Sequence, residues 1–145
     1  MADRDLTTPR QRIAAEGRRR GRAALAAGCM DLLTGRGADD GLILALGGEP
    51  ARYVLDGGEG GRDGYWPRVW AARGLLHAWD DQATAAIIAA AGDDAWRVRE
   101  MAAKVVARHR VGDALDAMSG LQDDAVPRVR QAAGRAIAVL TASGA

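Results

Sequence analysis

The amino-acid sequence predicts an all-α chain built from consecutive helix pairs, the architecture of an α-solenoid. The first observation is an internal repeat with a period of about thirty residues: Asp93 and Asp94 recur as Asp123 and Asp124, and Asp63 lies thirty residues earlier. The second is that an amphipathic helical pattern follows each acidic turn. Because a single helix pair cannot bury its apolar faces alone, repetition at this period indicates units that stack.

The second helix of each pair, helix B, is predicted at residues 66–79, 96–109 and 126–142. Aspartate in the preceding turn can cap the first N–H groups of the helix and complements the helix dipole. Pro67 and Pro127 fall in the first helical turn, where a missing N–H costs little. Each acidic turn therefore predicts the start of a helix.

Apolar side chains of the last two B helices recur at the spacing of a single helix face. They are Val98, Met101, Ala102, Val105 and Val106 in one helix, and Val129, Ala132, Ala133, Ile137 and Leu140 in the other. These residues form the predicted core of the repeats.

The first helix of each pair, helix A, is predicted to be shorter. Residues 81–91 align with residues 111–121 at a separation of thirty, so that Ile88 corresponds to Met118. This alignment completes two helix pairs in the C-terminal half of the chain.

The pattern weakens toward the N-terminus. Residues 39–47 and 50–56 predict two short helices, and the glycine-rich residues 57–64 predict a flexible connection. One longer helix is predicted at residues 9–33, with Thr8 as its N-cap. We expect one domain, 1–145, divided into an N-terminal cap (1–38), a divergent first repeat (39–79), a second repeat (80–109) and a third repeat (110–142).

An acidic turn, the motif (P)RVR and a helix rich in small residues together resemble the HEAT-repeat superfamily, most of all its short bacterial HEAT-like type, over residues 63–142. The resemblance is carried by Asp93, Val98, Arg99, Ala102, Asp123, Val129, Arg130 and Ala132. The first copy departs from the pattern, because Trp70 stands where the other copies have arginine. The resemblance implies a right-handed α-solenoid of about three HEAT-like helix pairs behind a divergent N-terminal helical cap.

The resemblance also implies a structural role for the aligned arginines, which would pair with turn aspartates of their own or the neighbouring repeat. This ladder would consist of Asp93, Asp94, Arg99, Asp123, Asp124 and Arg130. Partly exposed pairs of this kind contribute only about 0–1 kcal/mol each.

A second set of basic residues lies on another face of the B helices. Arg97, Lys104 and Arg108 are spaced i, i+7 and i+11, Arg128 and Arg135 occupy matching positions in the next B helix, and Arg68 begins the same face in the first. The resemblance implies that B helices line a concave surface, so these residues are candidates for partner binding. Glu100 and Gln131 interrupt the strip, and a solvated face is the alternative.

The tryptophans raise a similar choice. Trp70 and Trp79 lie off the best apolar stripe of their helix, so they are either covered by residues 1–60 or part of an exposed groove. In the second case Trp79 joins the partner-binding candidates.

Composition points to a soluble, cytoplasmic protein without a cofactor. The net charge is +1, which by itself does not indicate a nucleic-acid partner. Cys29 is the single cysteine, the first residues lack the apolar core of a signal peptide, and no apolar run is long enough to span a membrane. Two separated histidines give no metal-ligand spacing, and we expect His77 in the core.

The function that the resemblance implies is that of a non-catalytic protein-binding module or scaffold. The alternative is a nucleic-acid- or phosphate-binding module that uses the basic strip, with the RRRGR run at 18–22 as a further contact. A third reading, an enzyme or enzyme accessory resembling alkylpurine DNA glycosylases or chromophore-attachment lyases, has no catalytic residues to carry it. The last repeat runs into TASGA without a capping helix, which predicts a face for association with a second copy.

Overall fold

A computed structural model of the chain describes residues 8–142. Over that range the chain is helical and contains no strand, as the all-α prediction requires. It divides into two compact units, Met1–Asp80 and Asp81–Ala145. The predictions that concern the first seven residues and the final residues 143–145 lie outside the described residues.

From residue 8 onward, where the structure describes the chain, the N-terminal unit contains five α-helices: α1 (Pro9–Arg20), α2 (Arg22–Leu33), α3 (Asp40–Gly47), α4 (Glu49–Leu55) and α5 (Trp66–His77). The predicted N-cap of α1 is confirmed: Thr8 Oγ1 accepts a hydrogen bond from the Gln11 N–H at 3.1 Å, and Gln11 Oε1 accepts one from the Thr8 N–H at 2.9 Å. This reciprocal capping box satisfies two N–H groups that would otherwise lack partners.

The single helix predicted at residues 9–33 is wrong, because α1 and α2 are separate helices broken at Gly21. Gly21 has φ +92° and ψ 145°, a conformation that only glycine adopts without strain. Three glycines in this segment weakened the helical pattern, and the structure shows that one of them ends a helix.

The two short helices predicted at 39–47 and 50–56 are confirmed as α3 and α4. Asp39 caps α3 by accepting the Leu42 N–H at 2.8 Å. The glycine-rich connection that follows α4 contains a 3-10 segment, Gly58–Asp63, with left-handed backbone at Glu59 and Gly60. Local turn residues therefore determine the helix boundaries in this part of the chain.

The core of the N-terminal unit forms where α5 packs against α2 and α3. The helices approach closely at Gly74, where a Cβ atom would lie 2.6 Å from Cys29 Sγ and 2.8 Å from Leu46 Cδ2. Trp70 is buried in the same unit, so its predicted covering by the N-terminal segment is confirmed. His77 is exposed at the end of α5, and its predicted core position is therefore wrong.

The C-terminal unit contains two A–B helix pairs. Each A helix begins with a 3-10 turn (Asp81–Ala83 and Gly112–Ala114) and continues as α6 (Thr84–Ala90) or α8 (Leu115–Leu121). The B helices are α7 (Trp96–His109) and α9 (Pro127–Ala142), close to the predicted bounds. α7 packs against α6 and α9, and α8 packs against α9.

The two pairs are related by 31 residues, not by thirty. The 3-10 turns begin at 81 and 112, the A helices at 84 and 115, and the B helices at 96 and 127. Met118 therefore corresponds to Ile87, and both side chains are fully buried. The predicted correspondence with Ile88 is wrong by one residue, because adjacent acidic residues in the turn allow either register in a sequence alignment.

The apolar stripe of α7 forms the core of this unit, with Val98, Ala102, Val105 and Val106 fully buried. In α9 the buried residues are Val129, Ala133 and Ala136, at i, i+4 and i+7. Ile137 and Leu140 are half-exposed, contrary to prediction, since the face that α9 turns toward α7 and α8 runs through the small alanines.

Candidate functional site

The turn that precedes each B helix of the C-terminal unit is held by one aspartate. Asp93 Oδ1 accepts the Ala95 N–H at 2.8 Å, and Asp124 Oδ1 accepts the Val126 N–H at 2.9 Å. Asp93 thus corresponds structurally to Asp124, again at a separation of 31. A carboxylate that accepts the N–H two residues ahead fixes the turn from which the helix begins.

Arg99 joins two successive turns. Its Nη1 donates to the backbone carbonyls of Asp93 at 2.8 Å and Asp94 at 3.0 Å, while Nε and Nη2 donate to the two carboxylate oxygens of Asp124 at 2.7 and 3.2 Å. This bidentate pair is well shielded, with side-chain exposures of 18% for Arg99 and 7% for Asp124. The Arg99 guanidinium holds the pKa of Asp124 below its ordinary value.

Arg130 and Asp123 have fewer contacts in the proposed ladder than Arg99 and Asp124. Arg130 Nη1 donates to the Asp124 carbonyl at 2.6 Å, as Arg99 does to Asp93, but the Arg130 side chain is exposed. Asp123 is exposed, and its side chain forms no hydrogen bond or ion pair with another residue of the 8–142 range. Within the predicted ladder, the structure shows the Arg99–Asp124 ion pair, the hydrogen bonds from Arg99 to the carbonyls of Asp93 and Asp94, and the hydrogen bond from Arg130 to the Asp124 carbonyl.

The candidate site in the C-terminal unit is the basic face, which we define as Trp96, Arg97, Lys104, Arg108, Arg128 and Arg135. Its centre is Glu100, which is 8% exposed. Glu100 Oε2 accepts a hydrogen bond from Arg128 Nε at 3.0 Å and lies 3.6 Å from Lys104 Nζ. The sequence predicted that Glu100 interrupts the basic strip, but the structure places it beneath the strip, where its carboxylate positions two of the bases.

Trp96 contributes an aromatic surface that was not among the predicted site residues. The Arg97 guanidinium lies 4.4 Å from the centroid of the indole ring, and the Arg128 guanidinium lies 5.4 Å from it. Both distances fall in the cation–π range. Two features of the sequence could have indicated that Trp96 belongs to this surface: it immediately precedes Arg97, and at a separation of 31 residues it is equivalent to Pro127, which precedes Arg128.

The remaining bases of the face point to solvent. Arg108 and Arg135 are exposed and form no ion pair with another described residue. Arg128 keeps 63% of its side chain exposed although its Nε is bound to Glu100. With five basic residues over one glutamate, the face carries an excess of four positive charges.

Two predicted site residues belong to the N-terminal unit. Arg68 is half-buried and its Nη1 donates to the Gly64 carbonyl at 3.2 Å, which ties the start of α5 to the preceding loop. Trp79 is half-buried and follows the end of α5. Both residues also have further interactions.

The arginine run at 18–22 is largely engaged within the N-terminal unit. Arg19 and Arg20 both form ion pairs with Glu16, a buried carboxylate in the same helix. Arg20 also donates to both oxygens of Asp39, at 2.9 and 2.7 Å. The contacts of Arg20 join α1 to the start of α3. Two of the four arginines in the run, Arg19 and Arg20, are therefore engaged in ion pairs that stabilise the fold.

The N-terminal unit also contains a cleft that the sequence did not predict. Its volume is about 850 Å³, and its lining includes Trp66, Trp70, Tyr53, Arg12 and Arg73. The residues come from α1, α4 and α5, and no local motif connects them.

Within residues 8–142, no group of three or more His, Cys, Asp or Glu side chains is placed to hold a metal ion. Nor does any helix in that range have the length and apolar character needed to cross a membrane.

The paired A and B helices, the acidic turns and the Arg99 bridge define an α-solenoid repeat protein. A family model for HEAT repeats matches residues 64–138, which is more than half of the 145 residues. The chain therefore belongs to the HEAT-repeat family. Neither the comparison with curated proteins nor that with solved structures gave a match.

Proposed function

We propose that this chain is a non-catalytic protein-binding module that contacts an acidic segment of its partner through the basic face. Membership of the HEAT-repeat family supports the class of function. The observation that carries the choice of surface is the buried carboxylate of Glu100, which positions Arg128 beside Trp96.

Arginine and tryptophan are enriched among residues that dominate binding energy at protein interfaces. Because the Arg128 Nε is already bound to Glu100, part of the rotamer entropy that binding would remove has been lost on folding. Its terminal N–H groups form no hydrogen bond with another described residue and can receive a carboxylate. Arg108 and Arg135 extend the same positive surface and would attract an acidic partner.

Location in the cytoplasm is part of this proposal. The single cysteine, Cys29, is buried and forms no disulfide, which suits a reducing compartment. A second copy of the chain as the partner also stays a prediction, to be read from the same binding experiments.

The test is affinity purification from the native host with the double variant Arg108→Glu/Arg135→Glu as bait. Both residues are exposed and outside internal ion pairs, so the variant should fold while reversing charge on the face. The matched control is Arg22→Glu/Arg36→Glu, which makes the same charge change at two exposed residues of the N-terminal unit. Compared with the unmodified chain as bait, the first variant should lose partners and the control should keep them. Identical partners for the unmodified chain and both variants would refute the proposal.

A nucleic-acid partner is the second candidate, and the four excess positive charges of the face favour it. Its test is the binding of mixed-sequence DNA and RNA between 20 and 200 mM salt, measured by fluorescence anisotropy. Removing two phosphate contacts with Arg97→Gln and Arg128→Gln should reduce the slope of log K against log salt by about 2. Undetectable binding at the lowest salt would eliminate this candidate.

A further inference from the structure

The cleft of the N-terminal unit has an aromatic wall. The rings of Trp66 and Trp70 are stacked, with centroids 6.1 Å apart and an angle of 23° between planes. Tyr53 lies at the rim and is 63% exposed. A volume of about 850 Å³ lies within the range of sites that enclose small organic molecules.

Two glycines shape the floor of the cleft. A Cβ atom at Gly47 would lie 2.6 Å from Trp70 Cε3, and one at Gly48 would lie 2.8 Å from Arg12 Cζ. Gly48 also has φ +73°, which disfavours any other residue. Because these two glycines have no side chain, the Trp70 indole and the Arg12 guanidinium can lie close to the backbone where α3 meets α4.

Arg73 brings a positive charge into this cleft with few partners. Its Nη2 donates to the Leu46 carbonyl at 2.7 Å, but its Nε is buried and has no hydrogen-bond partner. A guanidinium has five N–H donors, and Arg73 forms no ion pair with another residue of the described range. Arg73 lines the cleft and only its Nη2 has an acceptor in the described range, so its terminal N–H groups can donate to an added acceptor.

Arg12 lies in the same lining and adds a second positive charge. Its Nε donates to the Ala45 carbonyl at 3.2 Å. Burial lowers the pKa of both guanidiniums, and the charge of Arg12 further lowers the pKa of Arg73, so the two cations repel each other. The carbonyls at the C-terminal end of α3 attract cations, but they occupy only one donor of Arg73.

The carboxylates of the lining do not neutralise Arg73. Glu49 lies 3.3 Å from Arg52, and both side chains are mostly exposed. Glu59 is exposed on the 3-10 segment. Among the described residues, Arg73 therefore has no carboxylate partner in the cleft.

We propose that this cleft binds a small organic anion in which a carboxylate or phosphate is attached to a planar apolar group. The anionic group accepts hydrogen bonds from Arg73 and Arg12, and the planar group packs against the accessible parts of Trp66 and Tyr53, next to the buried ring of Trp70. The site is distinct from the basic face, so it goes beyond the proposed protein-binding function, and either can fail without the other.

The test is a nuclear magnetic resonance titration of the full chain with three probes that share one ring system: 2-naphthoate, 2-naphthyl phosphate and neutral 2-naphthamide. The indole N–H signals of the four tryptophans are the readout. The proposal expects both or either of the anions to shift the signals of Trp66 and Trp70, with Trp79 and Trp96 unchanged. The amide should bind at least tenfold more weakly than the preferred anion, and the comparison of the two anions identifies the headgroup.

The matched variants are Arg73→Gln and, as control, Arg36→Gln, an exposed arginine of the same unit outside this cleft. Loss of a charged hydrogen-bond donor should weaken binding of the anion about 10- to 100-fold, and the control should bind as the unmodified chain does. Equal affinities for naphthoate and naphthamide, or unchanged binding by folded Arg73→Gln, would overturn the proposal. The anion-against-amide comparison needs no variant, so it decides the question even if Arg73→Gln fails to fold.

Discussion

Replacing Asp124 with asparagine should destabilise the C-terminal unit by about 2 kcal/mol. Asparagine keeps the shape of the side chain and an oxygen that can accept the Val126 N–H. It removes the negative charge that receives Arg99 Nε and Nη2. The substitution therefore separates the ion pair from the turn that the same carboxylate holds.

The expected magnitude follows from the shielding of the pair. Exposed pairs contribute about 0–1 kcal/mol, and removing one partner of a fully buried pair costs about 3–5 kcal/mol. With side-chain exposures of 18% and 7%, Arg99 and Asp124 lie between these limits. Arg99 also keeps its two carbonyl acceptors in the variant, which argues for the middle of the range.

The stabilisation by this ion pair should depend on pH, because Asp124 must be ionised to form it. The pKa of Asp124 in the folded state is below the unfolded value of about 3.9. The stability from the ion pair is therefore fully present above about pH 4 and is lost as pH falls through the lowered folded pKa. The difference between the unmodified chain and Asp124→Asn should shrink over that interval, since both then carry a neutral side chain.

The measurement is urea unfolding followed by circular dichroism from pH 7 to pH 2, with amide hydrogen exchange of α7 and α9 as the local readout. The control is Asp123→Asn, which makes the same change one residue earlier, at an exposed side chain. Its effect should stay within about 0.5 kcal/mol. Equal effects of the two variants, or an Asp124→Asn effect that persists at low pH, would show that the pair does not stabilise the turn.

Three further outcomes are expected. Gly134→Ala should stabilise the chain by about 0.5–1 kcal/mol, because Gly134 lies inside α9 with open space at its Cβ position. Gly21→Ala should destabilise the chain by about 1–3 kcal/mol, because Gly21 has a positive φ. Thermal melts that rank the two variants in the opposite order would contradict this prediction. Burial raises the pKa of the Cys29 thiol to about 12, so a thiol reagent at pH 8 should react only after urea is added, and fast labelling of the folded protein would count against the packing at Gly74. Val98→Asp and Val129→Asp should each unfold the C-terminal unit by burying an unpaired charge, and native-like helical spectra for both would disprove the core assignment.

Local signals in the sequence were sufficient to locate most helices. The bounds of α7 match the prediction, and the caps at Thr8 and Asp39 form as side-chain hydrogen bonds within three residues. Such contacts depend on neighbours in sequence, so composition and spacing reveal them. The break at Gly21 was missed, since a glycine is tolerated within a helix or ends one according to the packing around it.

The repeat register was the harder problem. Two adjacent aspartates in each turn look alike in the sequence, and an alignment at thirty residues matches both. Only the hydrogen bonds of the folded turn distinguish Asp93 and Asp124, which accept the N–H two residues ahead, from Asp94 and Asp123. The one-residue correction follows from that geometry.

By itself the sequence determined the fold class, the helix pairs and the family, because periodic apolar faces and turn residues repeat along the chain at short range. Only the tertiary structure showed that Glu100 lies beneath the basic face and that the guanidiniums of Arg97 and Arg128 both lie close to the Trp96 ring. It also decided that a cleft forms around Arg73. These features depend on contacts between residues that are far apart in sequence. Burial and unsatisfied hydrogen bonding result from those contacts, so the sequence pattern alone does not reveal them.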